Sequence, residues 1–147
     1  MSKRQPQPTA ATLIEAAEAL LTEGRAHATC LRYRRARTAL ETYLEAKGED
    51  MLLDAGIAML AIERGLEPDG ALLRVATGED LLYALPGFID LERPGLPKAD
   101  AGAQLRFVDQ CRRLIVARGL SAHGDYSCAS WEVDGALRRA GREQRLR

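Results

Sequence analysis

Apolar residues recur at helical spacing along most of the chain, and a glycine or proline follows many of the runs. Leu13, Leu20 and Leu21 share one face of a helix that would end at Gly24. A second stripe of the same period runs through residues 33–44 and stops shortly before a glycine, as helices commonly do. The pattern therefore predicts an all-α fold, a small bundle of about six or seven helices.

Capping residues mark two of the predicted helix starts. Thr12 and Glu15 have the spacing of a capping box, with a helix start nearer Thr9 as the alternative, and Thr77 and Asp80 repeat the spacing. Between these two starts, residues 50–64 are apolar nearly all round the predicted helix. Because a helix without a clear polar face is usually buried on all sides, we expect this one at the centre of the fold.

Prolines and glycines divide the chain. Pro86, Pro94 and Pro97 fall close together with two glycines, which predicts a loop or linker. The predicted organisation is a flexible tail over residues 1–8, a helical domain over 9–85, the loop or linker over 86–99, and a C-terminal helical segment with a basic tail over 100–147.

Composition is that of an ordinary globular protein. The chain has 147 residues, of which 46% are hydrophobic and 29% charged, enough to bury a core without disulfides. The first apolar stretch is interrupted by Glu15 and Glu18 and does not read as a secretory signal. No run approaches the roughly 18 apolar residues that a membrane span needs. We expect a cytoplasmic protein without a membrane partner.

Charges are segregated along the chain although the formal net charge is zero. Residues 1–48 carry eight Lys or Arg against five Asp or Glu, residues 49–100 four against eleven, and residues 101–147 nine against five. Basic ends therefore flank an acidic middle. This asymmetry indicates either an anionic partner for one face, or docking of the ends onto the middle between subunits of a homo-oligomer.

Arginines crowd the start of the predicted second helix, over about residues 29–47. Positive charge near a helix N-terminus opposes the helix dipole and costs roughly 0.3–1 kcal/mol per residue. Guanidinium groups beside the free N–H groups of a first turn suit contact with phosphate, although a solvated polar face is the alternative. The candidate phosphate ligands in this region are Arg25, Thr29, Arg32, Arg34, Arg35 and Arg37.

The segment EGRAHATCLRYRRARTALETYLEAKG has a helix-ending glycine, a threonine in the next turn, and a long helix containing YRRA. Residues 13–62, which include it, resemble the N-terminal helical DNA-binding domain of the tyrosine recombinases, the phage integrases and their relatives. The family's His-x-x-Arg motif does not occur here and no catalytic domain follows, so recombinase activity is not expected. The resemblance implies a clamp on the duplex backbone with contacts from Arg25, Thr29, Arg32, Arg34 and Arg35.

The basic C-terminal residues extend the same hypothesis. Arg138, Arg139 and Arg142 lie in the predicted tail and would add electrostatic affinity for phosphate. We therefore predict a DNA-binding or DNA-associated accessory protein of bacterial or phage type, with DNA rather than RNA as its partner. The first segment also resembles the helix-turn-helix of plasmid-type regulators and TPR-like helical hairpins. The hairpins lead to the alternative, a helical protein–protein interaction or oligomerisation module without nucleic acid.

Candidates for catalysis or metal binding are few. His27, Cys30, His123 and Cys128 form a two-His, two-Cys set, but they lack the short knuckle spacing of a zinc site. Carboxylates near the start of the predicted third helix are explained by the helix dipole without a magnesium ion. No nucleophile elbow, phosphate loop or dinucleotide motif occurs. The sequence favours a protein with no enzymatic activity, cofactor or metal.

Overall fold

A computed structural model describes residues 7–121 and 128–145 of the chain. Its described part contains seven α-helices and no strand, which confirms the predicted all-α bundle. The helices are α1 (Ala10–Thr22), α2 (His27–Lys47), α3 (Asp54–Leu66), α4 (Ala71–Val75), α5 (Gly78–Glu92), α6 (Lys98–Ala117) and α7 (Cys128–Arg145), with a 3₁₀ turn (Gly48–Met51) before α3.

Side-chain caps fix the starts of α1 and α5. The capping box of Thr77 and Asp80 is present, because each side chain bonds the other residue's backbone N–H, at 2.9 and 3.2 Å. The first helix begins one turn earlier than Thr12, since the side chain of Thr9 accepts from the Thr12 N–H. Gly24 ends the first helical region with a φ of +68°, a left-handed conformation that glycine adopts without strain.

One hydrophobic core joins the two predicted halves of the chain. Helix α6 packs against α1, α2, α5 and α7, and α7 packs against α5 as well. Phe107, Val108, Cys111 and Ile115 of α6 are all buried. Because residues from both halves contribute to this core, residues 9–85 and 100–147 do not form separate domains.

The predicted loop over residues 86–99 is wrong for most of its length. Helix α5 continues through Pro86 to Glu92, and only residues 93–97 connect it to α6. Proline inside a helix removes one backbone hydrogen bond, and here packing of α5 against α7, α6 and α2 outweighs that loss. The following Gly87 lies against the Tyr43 hydroxyl, where a Cβ atom would clash. Gly87 therefore serves the packing of α5 against α2 rather than a turn.

The C-terminal basic residues belong to a helix. Helix α7 extends to Arg145 and buries Ala129, Val133, Ala136 and Ala140 against the core. The predicted basic tail is thus wrong for residues 138–145, whose arginines have fixed positions on α7. Residues 1–6 of the predicted flexible tail lie outside the described residues.

Helix α3 lies at the edge of the bundle and not at its centre. Only Leu60 of its 13 residues is buried, and α3 packs mainly on the short α4. The apolar pattern therefore predicts this helix correctly, but the central position expected for it is wrong. Within the described part of the chain, no helix has the length and apolar character to span a membrane.

Candidate functional site

Arg37, one of the predicted phosphate ligands, is already paired on both sides. Its guanidinium donates to Glu18 at 2.6 Å and to Glu41 at 2.8 Å. The hydrogen bond to Glu18 raises the pKa of Arg37, and this outweighs the opposing effect of desolvation. Both carboxylates belong to the same fold, so Arg37 acts as a bridge between α1 and α2.

Two further arginines of the cluster also face carboxylates. Arg35 donates two hydrogen bonds to one oxygen of Asp100, at 2.7 and 3.1 Å, and so connects α2 to the first turn of α6. Arg34 lies 3.6 Å from Glu18, the carboxylate that Arg37 uses. The side chains of Arg34 and Arg35 remain 60% and 58% exposed, which limits the worth of these pairs. An incoming phosphate would nonetheless have to displace a bound carboxylate.

Two of the other three residues of the first cluster, Arg25 and Thr29, border a groove of about 510 Å³. Arg106 and Arg113 of α6 line it as well. Arg106 donates to the Tyr33 hydroxyl at 2.9 Å and lies over that ring, 5.9 Å from its centroid. The groove thus gathers two arginines of α6 and one from the connection between α1 and α2 around a tyrosine.

A second groove, of about 490 Å³, adjoins the first and shares Arg106 and Asp109 with it. Arg138 and Arg142, both predicted from the sequence, line it together with Arg145. We call the arginines of both grooves the arginine surface, which consists of Arg25, Arg106, Arg113, Arg138, Arg142 and Arg145.

Carboxylates neutralise only part of the arginine surface. Asp109 pairs with Arg113 at 2.8 Å, and Asp134 pairs with Arg138 at 3.0 Å. Six arginines therefore meet two aspartates along the two grooves. Of the remaining predicted ligands, neither Arg32 nor Arg139 lines either groove. The structure thus brings the two ends of the chain together through α6, whose contribution the sequence pattern did not indicate.

Helix α3 presents a largely apolar face to solvent. At 100° per residue the side opposite buried Leu60 contains eight exposed positions, and seven of them are apolar or glycine, the exception being Asp54 at the start of the helix. Leu66 is 78% exposed and Ile62 66%. We call this the outward face of α3, formed by Ala55, Ala58, Met59, Ala61, Ile62, Gly65 and Leu66. A typical surface helix exposes its polar side to water and buries its apolar side, whereas α3 exposes apolar side chains.

An open groove of about 720 Å³ runs between α3 and α5 and meets the outward face at Ala55 and Met59. Met51, Leu53 and Tyr83 supply exposed apolar surface within it. We call it the α3–α5 groove. Among the described residues its charged lining consists of Asp50, Glu79 and Asp80, with no lysine or arginine. Apolar walls and acidic edges therefore occur together.

The two-His, two-Cys set is not assembled within the described residues. His27 is exposed at the start of α2, and Cys30 points its thiol toward the carbonyl oxygens of Thr22 and Arg25, at 3.5 and 3.7 Å. Cys128 is exposed at the start of α7, and His123 lies outside the described residues. No group of three or more metal-binding side chains occurs in the part of the chain that the structure describes.

Signals for the α3 surface were present in the sequence but had two meanings. An all-apolar helix is expected either inside a core or at an interface, and periodicity alone does not separate the two. The sequence shows an acidic middle region, but only the folded structure places its carboxylates around α3.

Comparisons with models of known protein families, with curated proteins and with solved structures find no significant match to this chain.

Proposed function

We propose that this protein is a helical interaction module that docks onto another protein through the outward face of α3. One observation carries the proposal: of the eight exposed positions on the solvent side of α3, all but Asp54 at the helix start are apolar or glycine. Contiguous apolar surface of this kind is rare on monomeric soluble proteins and marks an interaction site. We place the protein in the cytoplasm as part of the same proposal, because three free cysteines suit a reducing compartment.

Energetic considerations support docking through more than the outward face. Fully burying a large aliphatic side chain contributes about 1.5–3 kcal/mol, and this face offers Met59, Ile62 and Leu66. Association costs an estimated 4–15 kcal/mol in lost freedom of motion. Three anchors only just offset such a cost, so a stable complex also needs Met51 and Leu53 in the α3–α5 groove.

A photo-crosslinking amino acid at position 62 tests the proposal in cells of the source organism. The matched control is the same group at Leu20, which is 53% exposed on α1 and lies outside both surfaces. We expect discrete adducts from position 62 and none from position 20. Adding Leu66→Gln and Met59→Gln should remove the adducts. Equal adduct patterns from positions 62 and 20, or none from either, would exclude docking through α3.

A second candidate function is binding to a nucleic-acid backbone, in which the arginine surface takes the place of the original cluster. Two observations favour nucleic-acid binding. One groove brings Arg25 and Thr29 close to Arg106, and the other brings Arg106 close to Arg138 and Arg142. Such contacts depend on counterion release, so the logarithm of the affinity falls linearly with the logarithm of salt concentration, by about one unit of slope per phosphate contact. We propose duplex DNA as the ligand for this surface.

Fluorescence anisotropy with a labelled 20-base-pair duplex across a salt series tests the second candidate. Changing Arg25, Arg142 and Arg145 together to Gln should lower the slope by about three units, since each contacts one phosphate. Changing Arg35 to Gln is the matched control, because Arg35 pairs with Asp100 and lies outside the arginine surface. The salt dependence of DNA binding by this variant should have the slope of the unchanged protein. An unchanged slope in the triple variant would remove DNA from the arginine surface.

A further inference from the structure

We infer that the occupant of the outward face of α3 and the α3–α5 groove is a basic amphipathic helix of another protein. The inference rests on the proposed function and adds the chemistry of the partner. The described part of the chain has no strand, and so offers no sheet edge for an extended peptide to join. A helix laid into an apolar groove is the recognition mode that fits the exposed surface.

The shape of the surface suits a second helix. Four of the seven outward positions are alanine or glycine, which allows a helix backbone to approach closely between the large side chains. Helix α3 has 13 residues and a length of about 20 Å, which matches four turns of a partner helix. Met51 and Met59 add flexible side chains that adapt to the partner's contour.

The charge around this surface selects a basic partner. Residues 49–80 contain eight carboxylates and two arginines. Both arginines already have internal partners, because Arg64 pairs with Glu49 at 3.0 Å and Arg74 with Glu63 at 3.2 Å. Neither Asp50 nor Asp54 makes an ion pair with the described residues. Lysines or arginines along the flanks of a docked helix could therefore form ion pairs with these carboxylates, next to the apolar contacts of the same helix.

The same charge disfavours a second copy of this chain. A symmetric contact sets the same patch against itself, so two copies paired through α3 would bring two acidic regions together. Like charges at an interface oppose association and slow it. A basic helix instead meets Asp50, Glu79 and Asp80 along the α3–α5 groove, so electrostatic attraction adds to apolar burial.

Two synthetic helices provide the probe. Each is an 18-residue, fluorescein-labelled peptide with leucines along one helix face, and the opposite face carries lysines in the first peptide and glutamates in the second. In anisotropy titrations at 100 mM salt we expect the lysine peptide to bind at least about tenfold more tightly, since a few charge pairs contribute a few tenths to 1 kcal/mol each. The glutamate peptide controls for apolar attraction alone.

Variants locate the bound peptide. The double change Ile62→Gln and Leu66→Gln should weaken lysine-peptide binding at least about tenfold, whereas Leu20→Gln with Leu91→Gln, two exposed leucines elsewhere, should change it less than about twofold. Asp50→Asn with Asp54→Asn should weaken the lysine peptide about three- to tenfold without weakening the glutamate peptide. These neutral substitutions leave the apolar face intact, so they report on charge alone.

Each alternative outcome has a definite meaning. Equal affinity for both peptides, lost in the Ile62 and Leu66 double variant, overturns the basic partner and leaves docking through α3 in place. Lysine-peptide binding that survives the double variant overturns the docking site itself for this ligand. Sedimentation of the unlabelled protein decides the remaining case, since a dimer abolished by the same double change makes a second copy the occupant and overturns the inference.

Discussion

The Tyr43 hydroxyl lies against the backbone of α5 at Gly87, with no room for a Cβ atom. The ring cannot move aside easily, because it is buried and packs edge-on against Phe88 at a centroid distance of 5.6 Å. We predict that Gly87→Ala lowers the free energy of unfolding by about 1–3 kcal/mol, as overpacking in a core does. Urea denaturation measures the change.

Tyr43→Phe is the matched background for this test. Without the hydroxyl, the nearest Tyr43 ring atom lies 3.6 Å from the position of the added Cβ, which is ordinary contact. In that background Gly87→Ala should be neutral or stabilising, because alanine favours a helix over glycine by about 1 kcal/mol. Equal destabilisation in both backgrounds would show that the hydroxyl is not the obstacle.

Burial controls the reactivity of Cys111. The thiol is enclosed in the core, and desolvation raises its pKa from 9.0 to about 12. We predict that iodoacetamide at pH 8 alkylates exposed Cys128 in the folded protein and leaves Cys111 unmodified until urea unfolds the chain. Mass spectrometry of the digested protein identifies the labelled sites. Labelling of Cys111 at the rate of Cys128 would contradict its place in the core.

The same thiol makes a defined contribution to the pH dependence of stability. Its folded pKa lies above its unfolded value, so the unfolded chain loses this proton first as the pH rises. The contribution is therefore constant below about pH 9, and stability falls between pH 9 and the folded pKa of about 12. Cys111→Ala should remove this part of the alkaline loss, which denaturation at several pH values would detect.

Substitutions on the two faces of α3 should differ in how much they change the free energy of unfolding. Leu60 is buried, so Leu60→Ala should lower the free energy of unfolding by about 2–5 kcal/mol. Ile62→Gln lies two residues away on the outward face and should change it by less than about 0.5 kcal/mol. Denaturant titration of both variants makes the comparison. A large loss from Ile62→Gln would mean that this side chain packs within its own chain.

Much of the helical architecture follows from local signals in the sequence. Periodic leucines, the Thr77–Asp80 capping box and the glycine after α1 depend only on near neighbours, so the pattern predicts these features correctly. Pro86 has the same local signature as a loop proline. The Tyr43 contact that explains its neighbour Gly87 comes from 44 positions away in the chain, so periodicity does not reveal it.

The candidate site divides in the same way. The sequence pattern indicates the arginines of α2 but not the acidic partners of Arg37 and Arg35, since Glu18 and Asp100 lie on other helices. Arg106, which the two grooves share, belongs to an α6 stretch where nothing in the spacing singles it out. The sequence thus indicates which side chains carry charge, and the packing of helices decides which of them remain available.

At the scale of the molecule, the core depends on α6 and α7. Helix α6 packs on α1 and α2, and α7 packs on α5. A fragment of residues 9–85 would therefore expose the apolar sides of α1, α2 and α5. We predict that this fragment shows no cooperative thermal transition by circular dichroism, whereas the full chain does. A sharp transition in the fragment would show that residues 9–85 fold without α6 and α7.

Attachment of α3 mainly through α4 and Leu60 gives the molecule a local weak point. Amide hydrogens of such a peripheral helix exchange with deuterium through partial opening, at a free energy below that of global unfolding. Those of α6, inside the bundle, need the whole fold to open. Covering the outward face would slow exchange in α3 alone, so this one helix reports whether its surface is occupied.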